Sequence, residues 1–233
     1  MSDVKNVFIA PGDGDHQVER MFITQGWGIT EVLEDADLLQ FVGGADVDPA
    51  LYGQHQHSTT MIDEARDARE MEMYLYGIEL GVPMAGICRG GQFLNVMNGG
   101  SMFQHVDGHG LAKTHKAWLT GASLPIDVTS THHQMMQPNW NANYLIVMTA
   151  AESKRKYSMS RTEYGKYECI MYPPNDKNTD VECVFYRDTR SLCFQPHPEY
   201  HGTHAVETRE VYFTLLDRYL FASEQEEQLR DEG

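Results

Sequence analysis

Cys88 stands in a setting that is typical of a catalytic nucleophile. It lies in the segment GICRGG, residues 86–91, which follows a short apolar run and precedes a helical pattern of apolar residues. A nucleophile elbow has this form, because its strained strand-to-helix turn leaves space only for small residues beside the nucleophile. A helix N-terminus and a neighbouring histidine both favour the thiolate form of a cysteine. The segment therefore predicts a cysteine nucleophile.

A base and a carboxylate to orient it are predicted later in the chain. His197 and Glu199 follow the short strand pattern 191–195, in the sequence QPHPE. The two residues are separated by one proline, so an extended backbone sends both side chains to the same side. A thiol nucleophile needs a base, and a carboxylate can hold that base in place and stabilise its charged form. Cys88, His197 and Glu199 are the predicted catalytic residues.

Five segments resemble the class I glutamine amidotransferase superfamily. GICRGGQ and QPHPE carry the general resemblance. The finer match is to the γ-glutamyl hydrolase branch, especially bacterial γ-glutamyl-γ-aminobutyrate hydrolases, and it comes from GGADVDPALY at 43–52, RDARE at 66–70 and STHHQ at 130–134. The segments occur in the family's order across residues 41–200, and together they are far more specific than any one alone.

The resemblance implies further site residues. The backbone N–H of Gly44 would be one oxyanion donor, and the N–H of Arg89, directly after the nucleophile, would be the other. Within the STHHQ loop, His133 is the expected substrate contact and Gln134 the support of the loop. The implied substrate-binding residues are Gly43, Gln92, His133 and Gln134. Asp67 and Glu70 of RDARE are expected to structure the wall of the site without a catalytic role, and the alternative is a solvated charged helix face.

The sequence departs from the family pattern in three places. Gly91 occupies a position where the family often has histidine, and residues 161–166 replace a glycine-rich acidic turn. Residues 108–121 match nothing in the family and are expected to form a polar loop with little fixed structure. These departures leave the catalytic residues in place and leave the leaving-group specificity open.

The hydrophobic pattern predicts one doubly wound α/β domain over residues 1–222, followed by an acidic tail at 223–233. The resemblance implies the flavodoxin-like form of this fold, with a mostly parallel central sheet, helices on both faces and a small antiparallel extension. Helices are predicted at 16–25, 62–80 and 204–221, besides the one that follows the elbow. In the second of these, Met71, Leu75 and Ile78 are expected to form the apolar face. Strands are predicted at 4–10, 29–32, 36–42, 82–87, 126–129, 143–150, 167–172, 181–186 and 191–195.

Composition excludes some classes of partner. A formal net charge of −16 opposes binding to nucleic acid or to an anionic membrane surface. The sequence shows neither a signal-peptide pattern nor an apolar run long enough to span a bilayer, so a cytoplasmic location is expected. The four cysteines form no CxxC pair, and we expect free thiols with only Cys88 reactive and the others in the core.

No metal or organic cofactor is expected from the sequence. His55 and His57 lie in a polar loop without further ligands at a recognised spacing. His197, His201 and His204 could also be interpreted as a metal cluster, but the HPE context already gives His197 a role. The loop PGDGD at 11–15 lacks the spacing and the lysine of a phosphate-binding loop, so a tight turn is expected there.

Three functions remain open at this point. The first is a free-standing hydrolase acting on a small γ-glutamyl substrate, which the three finer segments favour. The second is a glutaminase subunit that passes ammonia to a separate synthase, because both kinds of enzyme use the same catalytic residues. The third is a non-catalytic binding protein on the same fold. The expected protein partner is either a second copy of the chain or the ammonia-accepting synthase.

Overall fold

A computed structural model describes most of the chain. The described residues are 4–106, 109–110, 114–151, 157–161, 167–171 and 180–222, with the backbone alone for 157–161, 167–171 and 204. The predicted acidic tail, most of the departure at 161–166 and the side chain of Cys169 lie outside this description.

The described residues form four helices of eight or more residues and thirteen strands. The helices are α1 (Asp15–Thr24), α2 (Glu64–Leu80), α3 (Arg89–Met97) and α4 (Val206–Leu220). The strands are β1 (Asn6–Ile9), β2 (Gly28–Ile29), β3 (Leu38–Phe41), β4 (Met84–Ile87), β5 (Ser101–Phe103), β6 (Thr114–Leu119), β7 (Ile126–Thr129), β8 (Met135–Gln137), β9 (Tyr144–Ala150), β10 (Tyr157–Arg161), β11 (Tyr167–Met171), β12 (Val181–Tyr186) and β13 (Ser191–Phe194). None of these helices has the length and apolar character needed to cross a bilayer.

One mixed sheet organises the described chain. Its strand order is β2-β1-β3-β4-β13-β12-β9-β6-β7, with β8 paired to β12 and β5 paired to β8. The five strands from β2 to β13 run parallel to one another, and every pairing from β13–β12 onward is antiparallel. This arrangement confirms the predicted parallel core with an antiparallel extension.

Both faces of the sheet are covered, as a doubly wound fold requires. Along β3 the buried side chains alternate, because successive residues of a strand point to opposite faces. Leu38 and Val42 pack in a core cluster with residues of α1 and α4, whereas Leu39 and Phe41 pack in a second cluster with residues of α2 and α3. The central strands are therefore buried on both sides.

The buried face of α2 differs from the prediction. Leu75 is 61% exposed and Ile78 is 42% exposed, and Met71 is only partly buried. The prediction was wrong because it placed the apolar side of the helix inward, whereas this helix turns its charged first turns toward the interior. The buried residues of α2 are Arg66, Asp67, Glu70, Tyr74 and Gly77.

The segment 108–121 also differs from its prediction as a loop. Its described part contains strand β6, which pairs with β7 on one side and β9 on the other. Alternate residues of β6 are buried, with His115 and Ala117 turned inward and Lys116 and Trp118 exposed. The polar residues of this segment hid the alternation of buried and exposed side chains that is typical of a strand, and backbone pairing with two neighbours stabilises that strand.

We expect two neighbouring substitutions in α2 to have very different effects on stability. Tyr74→Ala removes a buried ring that lies edge-on to Phe93, and should lower the free energy of unfolding by about 3 kcal/mol. Leu75→Gln changes an exposed side chain, and should alter it by no more than about 0.5 kcal/mol. Urea unfolding followed by circular dichroism measures both. A larger loss for Leu75→Gln than for Tyr74→Ala would mean that the sequence-based orientation of α2 was right.

Candidate active site

The turn between β4 and α3 holds Cys88 in a strained conformation. Its φ of 51° lies in the left-handed region, which residues other than glycine rarely adopt. A Cβ added to Gly86 would lie 2.2 Å from the carbonyl carbon of Gly90, and one added to Gly90 would lie 2.5 Å from the backbone oxygen of Phe41. Strand and helix can approach this closely only with glycine at both positions, which is the geometry expected of a nucleophile elbow.

The carboxyl ends of three adjacent parallel strands meet around Cys88. The loop after β3 begins with Val42 and Gly43, and the HPE segment follows β13. A Cβ built on Gly43 would lie 3.4 Å from His197 Cε1 and 4.0 Å from Cys88 Cβ. The Cys88 N–H donates to the backbone oxygen of Phe194 at 2.8 Å, which continues the pairing of β4 with β13. Three distant parts of the sequence thus share one small region.

His197 is held beside the cysteine and a carboxylate. Its Nδ1 lies 2.6 Å from Glu199 Oε1, and its Cε1 and the Cβ of Cys88 both lie next to Gly43. Burial disfavours a charged imidazole, but the Cys88 sulfur and the Glu199 carboxylate outweigh it and raise the pKa of His197 well above its ordinary value. Thr129 Oγ1 accepts from the His197 N–H at 2.6 Å, and the Tyr200 ring stacks on the imidazole with centroids 4.4 Å apart. The imidazole is therefore fixed on several sides.

Arg66 holds the loop after β3 that contains Gly43 and Gly44, which we call the diglycine loop. Its guanidinium donates to the backbone oxygens of Val42 at 2.9 Å and Gly43 at 2.8 Å, while its Nε donates to Glu70 at 2.7 Å. In a trans peptide the C=O and the N–H point in opposite directions. Fixing the Gly43 oxygen on Arg66 therefore aims the N–H of Gly44 away from Arg66. Gly44 has a φ of 131°, which favours glycine at this position.

The side chain of Arg89 ties the elbow helix to α2. It is 2% exposed and forms ion pairs with Asp67 and Glu70. Burial lowers the pKa of Arg89 to about 10 and raises the pKa of Asp67, and the mutual attraction of the two groups opposes both shifts. Asp67 also accepts from the N–H of Asp48 at 2.9 Å. Arg66, Asp67 and Glu70 thus lie beneath the elbow as buried charges, and the alternative of a solvated charged face is wrong for Asp67 and Glu70.

Gln92 reaches the cysteine through a second glutamine. It is buried and donates to Gln195 Oε1 at 3.1 Å, and Gln195 Nε2 lies 3.5 Å from the Cys88 sulfur. Gln195 received no role from the sequence. Its position directly after β13 was the available signal, since side chains at the carboxyl ends of parallel strands gather at the site.

The STHHQ loop places its two predicted residues differently. His133 is half-exposed, and its Nε2 lies 3.1 Å from Asp46 Oδ1. That hydrogen bond raises the pKa of His133, against a smaller opposing effect of burial. Gln134 is buried and donates to Thr60 Oγ1 at 3.3 Å, a contact that ties the loop to the segment after the diglycine loop. Asp46 was not singled out from the sequence as a functional residue.

Comparison with known proteins gives a family match for the part of the chain that contains Cys88. The profile of the family described as Peptidase C26 matches residues 23–154, which include Cys88 and His133 but not His197 or Glu199. A Mycobacterium tuberculosis protein, named as a candidate glutamine amidotransferase, is 43% identical over 76 residues, covering 32% of this chain and 25% of that protein. A glutamine amidotransferase-like protein of Lactococcus lactis is 31% identical over 122 residues, covering 52% of this chain and 50% of that protein. The matches thus span between a quarter and a half of these relatives.

Solved structures share the fold across nearly the whole chain. A glutamine amidotransferase from Thermotoga maritima superposes with a TM-score of 0.57 at 15% identity, over 98% of this chain and 94% of that one. A Thermoplasma acidophilum protein, described as a candidate GMP synthase subunit, gives a TM-score of 0.61 at 15% identity, over 93% and 94% of the two chains. At such low identity the likeness establishes the fold alone.

We expect Asp46→Asn to lower the pKa of His133. The Asp46 carboxylate stabilises the imidazolium, so the folded pKa lies above the unfolded value of about 6.5. The pair therefore stabilises the protein fully below about pH 6.5, and this contribution is lost as pH rises through the raised pKa. Titration of the His133 ring by NMR measures the change. Asp217→Asn, which removes an exposed charge paired with Lys5, is the control, and an unshifted His133 in Asp46→Asn would contradict the assignment.

Proposed function

This chain belongs to the Peptidase C26 family, and we propose that it is a cysteine hydrolase that cleaves the γ-glutamyl amide bond of a small γ-glutamyl compound. The proposal rests on one observation: Cys88, His197 and Glu199 lie close together beside the diglycine loop. A nucleophile, a base and an orienting carboxylate in contact are the minimal set for acyl transfer through a covalent intermediate.

In the proposed first step the Cys88 sulfur attacks the γ-carbonyl carbon of the substrate. The negative charge that develops on the carbonyl oxygen is stabilised by the backbone N–H groups of Gly44 and Arg89. The orientation of the Gly43–Gly44 peptide on Arg66 supports the first donor. As the first residue of α3, Arg89 has an N–H without an intrahelical acceptor, which supports the second. His197 then gives its proton to the departing amine, and a glutamyl thioester remains on Cys88.

In the proposed second step water replaces the amine. His197, now neutral, takes a proton from the water as it attacks the thioester carbonyl, and Glu199 stabilises the imidazolium that forms. The tetrahedral intermediate again places its oxyanion on the two N–H groups. Collapse expels the thiolate of Cys88 and releases glutamate, which returns the site to its initial state without a cofactor.

Asp46 and His133 suit the remaining charges of a γ-glutamyl group. Such a group carries an α-ammonium and an α-carboxylate, and the hydrogen-bonded pair presents a carboxylate and an imidazolium side by side. We therefore propose His133 as the contact for the α-carboxylate, with Gln134 supporting its loop from the buried side. Gly43 and Gln92 complete the proposed substrate site, the latter through Gln195.

A second candidate function is a glutaminase subunit that delivers ammonia to a synthase. Its support is the shared fold with the candidate GMP synthase subunit of Thermoplasma acidophilum and with PurLQS of Thermotoga maritima, the latter at a TM-score of 0.59 and 14% identity. The two candidates differ in substrate and in dependence on a partner, and not in the residues that form the thioester.

The deciding experiment is glutamate release from a panel of γ-glutamyl amides that includes glutamine and γ-glutamyl-γ-aminobutyrate. We expect release from γ-glutamyl amines by the chain alone, with poor use of glutamine. Cys88→Ala and His197→Ala should each lower kcat by at least roughly 10⁴-fold. Glutamine turnover that requires an added synthase would favour the second candidate.

The matched control for His197→Ala is His201→Ala, which changes an exposed histidine in the same loop and should leave activity close to that of the wild type. Alkylation gives an independent readout, because Cys88 is partly exposed whereas Cys183 and Cys193 are fully buried. If no compound releases glutamate and Cys88 resists iodoacetamide in the folded protein, the hydrolase proposal fails in favour of a binding protein.

Arg66→Lys tests the proposed role of Gly44. Lysine keeps the charge but cannot donate to both carbonyls and to Glu70 at once, so the diglycine peptide loses its fixed orientation. Loss of a whole oxyanion donor costs about 10²–10³ in kcat, and partial misalignment should cost roughly 10-fold or more. We expect kcat to fall while KM changes little, since the donor acts in the transition state.

The control for this variant is Arg69→Lys, an exposed arginine on the same helix. Folding of both variants is checked by their unfolding transitions. A folded Arg66→Lys protein with the kcat of the wild type would remove the argument that Arg66 positions an oxyanion donor.

A further inference from the structure

Three buried histidines that take no part in the proposed hydrolysis converge on one carboxylate oxygen. His109 Nδ1, His115 Nε2 and His132 Nε2 lie 3.7, 3.0 and 3.9 Å from Glu182 Oε1. Exposure is 0% for His109 and Glu182, 3% for His132 and 6% for His115. Such a concentration of imidazoles around an interior carboxylate has no part in the proposed hydrolysis.

The distances from the three imidazoles to Glu182 Oε1 are of the size found between ligand atoms around a small metal ion. Zinc binds histidine nitrogen at about 2.0–2.1 Å and carboxylate oxygen at a similar distance, so the ligand atoms of a tetrahedron lie about 3.4 Å apart. The three distances to Glu182 Oε1 scatter around that value. The candidate ligand atoms of His109, His115 and Glu182 all lie within 4.8 Å of one another, and His132 approaches this group of three through its 3.9 Å contact with Glu182 Oε1.

Two of the imidazoles are already oriented from behind. His109 Nε2 lies 3.1 Å from Asp180 Oδ2, and His132 Nδ1 lies 2.8 Å from the backbone oxygen of Gln134. Histidines that bind a metal through one nitrogen usually donate the other N–H to a carboxylate or a carbonyl in this way. Within the described residues, His109 Nδ1 and His132 Nε2 make no hydrogen bond, and both face Glu182.

The buried carboxylate of Glu182 needs positive charge or hydrogen-bond donors beside it. Both oxygens of Glu182 are buried, and among the described residues its Oε1 is paired with His115 Nε2 at 3.0 Å. A buried carboxylate is costly unless it is paired and hydrogen-bonded or coordinates a metal. Three imidazoles that direct ring nitrogens at it are suited to share a cation with it.

We propose that His109, His115, His132 and Glu182 bind one Zn²⁺ ion. Imidazole nitrogens with a carboxylate oxygen form a donor set that suits zinc among the divalent ions. Four protein ligands complete a tetrahedron and leave no position for water or substrate, which is the property of a structural site. The ion joins the segment at 109–110, strand β6, the loop after β7 and strand β12.

The metal site would stabilise the neighbourhood of the catalytic residues. His132 precedes His133 in the loop that carries the proposed substrate contact. The backbone oxygen of Glu182 accepts from the N–H of Gln195 at 2.8 Å, and Gln195 contacts the Cys88 sulfur. Zinc would therefore act on the reaction only through the positions of these segments. The proposal does not depend on the hydrolase function and is tested without an activity assay.

The test is the metal content of the protein, purified without a polyhistidine tag from zinc-supplemented medium. After gel filtration, we expect about one Zn²⁺ per chain by inductively coupled plasma mass spectrometry. His132→Ala and Glu182→Gln should retain far less, and His16→Ala, which removes an exposed histidine, should retain as much as the wild type. Wild-type protein without bound zinc, and without uptake on titration, would overturn the proposal.

A second measurement on the wild type covers the case in which the variants do not fold. Removal of the ion by dialysis against a chelator should lower the Tm by about 5–10 °C, and added Zn²⁺ should restore it. Replacement by Co²⁺ should give the intense visible absorption of a four-coordinate ion. A Tm that neither chelator nor zinc changes would identify the cluster as a metal-free histidine–carboxylate network.

Discussion

The position of the predicted catalytic residues depends on a small group of charges buried between α2 and the sheet. Glu70 pairs with both Arg66 and Arg89, and Asp67 pairs with Arg89. Arg66 continues to the diglycine loop, so a single network joins the loop after β3 to the elbow after β4. Charges in a protein interior are stable only when every member is matched, and removal of one leaves its partner unsatisfied. The two proposed oxyanion donors are therefore set by the same interaction, although they lie on different loops.

The sequence was a good guide wherever a physical requirement is local. The elbow needs glycines within two residues of the nucleophile, and the HPE spacing needs only an extended backbone, so both could be identified without knowledge of the fold. The parallel core was predictable for the same reason, because its strands are short apolar runs. The family profile ends at residue 154, before the HPE segment, so it carries no information on the approach of His197 to Cys88, which the sequence predicted from the two motifs.

Features that depend on distant partners escaped the sequence. The inward face of α2 was assigned to its apolar residues, but the interior beneath the elbow is ionic and receives Arg66 and Glu70 instead. Strand β6 was predicted as part of a loop because its composition is polar. Its pairing with β7 and β9 outweighs that composition and makes it a strand. The ligands of the proposed zinc site come from four separate segments and follow no recognised spacing. Gln195 and Asp46 acquire a role only through neighbours that are remote in the chain.

The position of β13 has a consequence for how the chain reaches its folded state. It is the last strand of the described chain, yet it lies in the middle of the sheet, between β4 and β12. Until it is in place, β4 and β12 both present unpaired edges, and such edges can associate with other chains. Its pairing with β4 also closes a long loop, which slows folding. Insertion of this one strand joins the parallel and antiparallel halves of the sheet, and it brings the HPE segment to the carboxyl end of β4, where Cys88 lies. A partly folded chain without β13 therefore lacks the candidate site.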